Sequence, residues 1–163
     1  LYTKVIEAFV QEFVSAFEQK VLTKEDAEEA IAALIELKLR HYQEHREFIR
    51  VAFEASLSCG DPARSLPAGL REAHARYTEA VRDIFKRGIA QGIFDQADPL
   101  YLTLCLEGIM SAFLAYWSRN EPTESLDQRI AKMRREFLGR IKIRLGEAPP
   151  ESVAGPGREQ PTI

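Results

Sequence analysis

FDQADPLYLTLCLEGIMSAFLAYWSR, residues 94–119, is the stretch that decides the fold. Asp98 offers a side-chain acceptor for a helix start, and Pro99 has its φ preset for the first helical position. Gly92, just upstream, is the residue type that closes helices. The pattern predicts a helix from Leu100 to Trp117 in which only Glu107 carries a charge. That length and composition raise the question of a membrane span. The rest of the chain argues against lipid: of 163 residues, 29% are charged and 45% hydrophobic, and no second apolar segment accompanies the first. A helix apolar on all sides in such a chain is either the centre of a bundle or is covered partly by its own fold and partly by another subunit.

Working outward, every readable segment has helical period. Ile6, Phe9, Val10, Phe13, Phe17 and Val21 predict a first helix from about Tyr2 to Leu22, with Thr23 capping the next. From Lys24 to about Leu57 the apolar positions keep the period through Leu34, Leu39, Tyr42, Phe48, Ile49, Ala52 and Phe53. That is too long for one ordinary helix, and a break near His41 to Arg46 is expected. SCGDPARSLPA, residues 58–68, is dense in turn formers and reads as an internal loop. Leu70, Ala73, Tyr77, Val81, Ile84, Phe85 and Ile89 form the next stripe, closed by Gly92 and Ile93. Ser125 and Gln128 have capping-box spacing ahead of a last helix bearing Leu126, Ile130, Met133, Phe137, Ile141 and Leu145. No segment alternates at period two and no repeat appears, so the class is all-α, an antiparallel bundle of about five or six helices. The domain is expected to span residues 1–146, followed by a Pro/Gly-rich tail, 147–163.

The net charge is −3, so this segment has no overall electrostatic reason to hold a polyanion. Two cysteines, Cys59 and Cys105, are too few for a disulfide framework and suit a reducing cytoplasm. The opening is already in helical phase at Leu1 with no basic n-region or cleavage site, which reads as the interior of a longer protein.

The order of these features resembles the TetR-like transcriptional regulators. LYTKVIEAFVQEF, residues 1–13, looks like the helix that follows the DNA-reading helix-turn-helix in that family. KRGIAQGIFDQADPLYLTLCLEGIMSAFLAYW, residues 86–117, is similar to the segment spanning the end of the family's seventh helix and its eighth, with Gly92, Asp98, Pro99 and Gly108 in place. The resemblance implies a ligand-sensing and dimerisation domain of TetR-like fold, whose last two helices pair with those of a twin subunit. It also implies a small-molecule effector, and operator DNA reached only through an N-terminal head absent from this chain. The first helix would be the lever to that head.

The residues carry part of this on their own. On residues 100–117 the bulky Leu102, Leu106, Ile109, Met110, Phe113 and Trp117 fall on one side, and Gly108, Ser111, Ala112 and Ala115 on the other. Small faces let another helix approach closely, so these four, with Ile130, Met133, Phe137 and Ile141, are the candidate dimer interface. A monomeric bundle whose last helix covers the small face is the plainer alternative. Candidate walls of a mainly apolar effector pocket are Phe9, Phe13, Leu37, His41, His45, Tyr77, Val81, Phe85, Leu106, Met110, Phe113 and Trp117, with His74 a further polar candidate. Most aromatic and histidine residues at helical spacing are ordinary packing or surface residues.

Residues 41–45, HYQEH, match the H-x-x-E-H pattern of zinc proteases. Both histidines would face the same way, but the chemistry needs a third ligand and a sheet to hold substrate, so neither a metal nor a cofactor is expected. No nucleophile elbow, phosphate loop or dinucleotide fingerprint occurs, and no enzyme is expected. Glu107, a lone carboxylate in an apolar helix, must reach solvent, pair with a polar group or face a cavity. The final helix carries Arg129, Lys132, Arg134, Arg135 and Arg140, which can mean a membrane or nucleic-acid surface but more often a solvated face. The leading reading is the effector domain of a transcription regulator; a ligand-free helical interaction or scaffold module is the other.

Overall fold

Side chains that satisfy free backbone groups mark the helix ends in the computed structural model, which describes residues 2–47 and 68–142. Five helices lie within them: α1 (Tyr2–Lys20), α2 (Ala27–Glu44), α3 (Ala68–Ala90), α4 (Pro99–Arg119) and α5 (Leu126–Ile141). Among the described residues no strand forms; one isolated antiparallel bridge joins Phe94 to Lys142. The fold is all-α, as the periodicity requires.

Asp98 opens α4, its carboxylate accepting the Leu100 N–H at 2.9 Å with Pro99 at the first position. Ser125 and Gln128 form the reciprocal capping box of α5, at 3.2 Å and 2.8 Å. The start of α2 differs from expectation. Asp26, not Thr23, is its cap, accepting the Glu29 N–H at 2.8 Å. Thr23 instead donates its hydroxyl to the Gln19 carbonyl at 2.9 Å and finishes α1. A carboxylate is favoured at a helix N-terminus by the macrodipole as well as by its hydrogen bond, which a hydroxyl cannot match. Helix α2 ends at Glu44 with His45 as C-cap, inside the window where a break was expected. The expected continuation over Phe48, Ile49, Ala52 and Phe53, the loop over residues 58–67, Leu145 and the tail 147–163 lie outside the described residues.

At the end of α3, Gly92 has φ +70°, the left-handed conformation that favours glycine. Its N–H reaches the Ile89 carbonyl at 3.0 Å and the Ile93 N–H reaches that of Gly88 at 2.9 Å, the paired bonds of a Schellman stop. The turn delivers Phe94 into the core, where it is fully buried against Phe85 at 5.8 Å between ring centroids. Gly88 makes room for it: a Cβ at that position would overlap the Phe94 ring and the Ala27 methyl.

The central helix is α2, not the apolar α4. It packs against α1, α3 and α5, and buries Ala27, Ala30, Ile31, Leu34, Ile35, Leu37, Leu39, His41 and Tyr42. Helix α4 lies along α3 and buries only the stripe Leu102, Thr103, Leu106, Met110, Trp117 and Ser118. By length and composition it is the one described helix apolar enough to cross a membrane, yet that stripe ties it into the protein core.

Candidate functional site

Phe9, Phe13 and Phe17 recur every fourth residue on α1, so one face carries all three rings toward α2 and α3. The Phe9 ring lies 4.4 Å from that of His41 and 5.2 Å from that of His45. Phe13 lies 5.4 Å from His41 and 5.7 Å from Tyr77, and Phe17 5.1 Å from Tyr77. His41 is buried. Burial, first, and then the neighbouring His45 hold its pKa below the ordinary imidazole value, against the opposing pull of Glu12, Glu44 and the Phe9 backbone.

A polar triad closes the inner side of this cluster. Tyr77 donates its hydroxyl to Glu107 Oε1 at 2.7 Å, and the Lys38 ammonium pairs with Oε2. The ammonium also stands 5.2 Å from the Tyr77 ring centroid. Burial, followed by the Glu107 charge and hydrogen bond, raises the Tyr77 pKa well above its usual value, so the phenol keeps its proton and remains the donor. Glu107 therefore meets its desolvation cost by pairing, and in doing so links α4 to α2 and α3.

Beside the cluster a cleft of about 650 Å³ opens between α1 and α2. Ala16, Ala33 and Leu37 form its apolar wall, while Glu12, Glu36, Arg40, Glu44 and Arg134 set charge around it. The Glu36 carboxyl is held below its ordinary pKa, chiefly by the hydrogen bond from Arg40, with Arg134 on its other oxygen. Such a lining suits an amphiphilic molecule more than the mainly apolar one expected from sequence.

Of the predicted pocket residues, Phe9, Phe13, His41, His45 and Tyr77 come together in the ring cluster, and Leu37 and His41 line the cleft beside it. The others do not. Val81, Phe85, Leu106 and Met110 are fully buried packing residues of the core. Trp117 is also core, with the Arg129 guanidinium 5.0 Å above its ring. Phe113 is 44% exposed, its ring 5.3 Å from Trp117. It stands roughly 60° round the helix from Met110, at the edge of the buried stripe. His74 is exposed, 6.4 Å from the Tyr77 ring and outside the cluster.

The candidate interface also divides. Gly108, Ser111 and Ala112 are exposed and Ala115 half-buried, and a Cβ on Gly108 would meet nothing within 4 Å. Ile130, Met133 and Phe137 are instead buried in this chain's own core, with Ile141 half-buried. The reason is that α5 has one apolar stripe and this chain's own helices take it: α5 packs on α2, and Phe137 reaches Phe85 of α3 at 6.2 Å. Two basic residues of α5 serve the same contact: Arg134 bonds the Ala32 carbonyl, and Arg129 bonds Gln43 at 2.9 Å. Sequence reasoning did not place Tyr101, Leu104 and Tyr116 beside the small residues of α4, which they flank at 67%, 57% and 61% exposure. It also missed Lys38 and Glu12; Lys38 stands between Glu36 and Arg40 in an ordinary mixed stretch, so nothing local singled it out.

The family model for tetracyclin repressor-like C-terminal domains matches residues 28–135, which carry Lys38, His41, Tyr77 and Glu107. In fold the chain is similar to the crystal structure of a transcriptional regulator of the TetR/AcrR family from Thermobifida fusca YX-ER1. The TM-score is 0.62 at 18% identity, over 83% of this chain and 70% of that one. No curated protein matches the chain.

Proposed function

We propose that this chain, which belongs to the family of tetracyclin repressor-like C-terminal domains, is the effector-sensing and dimer-forming part of a cytoplasmic transcription regulator. The observation that carries the reading is the two-sided character of α4. One side holds Leu106 and Met110 in the core and places Glu107 on the Tyr77–Lys38 triad. The opposite side leaves Tyr101, Leu104, Gly108, Ala112 and Tyr116 to solvent. A contiguous apolar face of this kind costs free energy until covered, and its small centre suits close approach of the same helix from a second copy across a two-fold axis.

An amphiphilic small molecule enters the cleft between α1 and α2. By binding one position of α1 more tightly than another, it shifts a DNA-reading head carried upstream of that helix. The protein acts as a repressor released by its ligand and performs no catalysis. Operator DNA is contacted through the head alone, consistent with the net charge of −3 on this chain.

Light scattering on the chain at micromolar concentration, with Ala112→Arg beside the wild type, tests the dimer on which this rests. The wild type should run at twice the chain mass, and the arginine variant at the chain mass with unchanged helical circular dichroism. A wild type that runs as a monomer defeats the reading.

A further inference from the structure

Two histidines at the end of α2 face a carboxylate delivered by α1. His41 and His45 are four residues apart, so they leave the same face of the chain, and their rings are 4.5 Å apart. Glu44 lies between them in sequence, and Glu12 comes from the neighbouring helix. One ligand atom from each of Glu12, His41, Glu44 and His45 lies within 4.8 Å of the other three.

Two facts separate this group from an ordinary patch of surface charge. His41 is 7% exposed and its Nε2 is buried with no hydrogen-bond partner; His45 Nε2 is in the same condition. A buried imidazole nitrogen left unpaired is costly, and both of these belong to side chains whose ligand atoms gather with two carboxylates in one group, so a common partner would satisfy them. The His45 Nε2 to Glu12 Oε2 separation is 3.5 Å, without hydrogen-bond geometry. It matches the edge of roughly 3.3–3.5 Å that a tetrahedron has around a cation with bonds of about 2.0–2.1 Å. The Phe9 and Phe13 rings pack on His41 and fix its orientation. The sequence expectation of no metal rested on HYQEH lacking a third ligand and a sheet to hold substrate; the fold supplies a further ligand from α1, and an ion that only joins two helices needs no sheet.

We propose that Glu12, His41, Glu44 and His45 bind one late first-row divalent cation of the Zn²⁺, Co²⁺ or Ni²⁺ class, which ties α1 to the end of α2. Two imidazoles with carboxylates suit these ions, whereas Mg²⁺ and Ca²⁺ take oxygen ligands. The cation is a cross-link between helices rather than a hydrolytic centre. The site stands on this geometry and does not depend on the sensing role.

Titration calorimetry of the whole chain with zinc chloride, and visible absorption with Co²⁺, test it. One ion should bind per chain, the Co²⁺ complex should show the d–d bands of a four-coordinate site, and Zn²⁺ should raise the melting temperature. Glu12→Gln and His45→Ala alter partly exposed side chains and should keep the wild-type circular dichroism. Each should weaken binding more than ten-fold and abolish the melting shift, while His74→Ala leaves both intact. Absence of saturable one-site binding in the wild type overturns the proposal. So does binding that survives Glu12→Gln, because the ion would then not bridge the two helices.

Discussion

Glu107 shows how one residue's needs shape its surroundings. Its carboxylate sits among apolar neighbours on α4, and the side chains of Lys38 and Glu107 retain 14% and 23% exposure. At that depth the pair is worth less than a fully buried one but more than a surface one. Glu107→Leu removes the acceptor and leaves the Lys38 ammonium without its partner, so it should cost about 2–3 kcal/mol in urea unfolding. Adding Lys38→Met removes the stranded charge and should restore more than half of that loss. If the double variant is as unstable as the sum of the two singles, the pair is not coupled. Sequence showed that Glu107 had to reach solvent, pair with a polar group or face a cavity. It did not show which, because Lys38 stands 69 residues away and nothing local connects them.

At the scale of the element, what was legible was whatever lies within one helical turn. The Asp98 and Ser125 caps and the Gly92 stop each act over two to five residues, so residue type and spacing sufficed. Thr23 and Asp26 both offer a cap acceptor, and the carboxylate's added gain from the macrodipole is a difference of degree that spacing does not show. Nor could the docking of Phe94 over Gly88 be foreseen, because it depends on where the chain goes after α3 turns. Gly88→Ala gains helix propensity of up to about 1 kcal/mol, but the new methyl collides with the Phe94 ring. The collision should win, with a net loss of about 1–3 kcal/mol on thermal or urea melting. Gly139→Ala, on α5 with open space around it, isolates the propensity term and should stabilise by about 0.5–1 kcal/mol. Equal effects of the two substitutions would show that Phe94 does not press on Gly88.

For the whole molecule, helical period gave the number and kind of elements but not their arrangement. Helix α4 is the more apolar helix, yet α2 is central: its buried residues pack against α1, α3 and α5, and its charged residues pair at the edges of those contacts. Glu36 meets Arg134, and Glu28 meets Lys142 at 2.8 Å. A periodic pattern states which residues share a face and is silent on how many neighbours cover it. That difference in cover sets a hierarchy of local stability. Helix α2 packs on three helices, whereas α1 packs on α2 and α3, held largely by Phe9, Phe13 and Phe17. Native-state hydrogen exchange should therefore protect amides at the middle of α2 up to the global unfolding free energy, and let those of α1 open earlier. Phe13 is half-buried, so Phe13→Ala should lower global stability by only about 1–3 kcal/mol. It should lower the opening free energy of α1 by more than that of α3 or α5. A helix that opens separately in this way is one a ligand in the adjoining cleft can reposition. Uniform protection across α1 and α2, unchanged by Phe13→Ala, would make α1 part of the rigid body and remove it as the moving element.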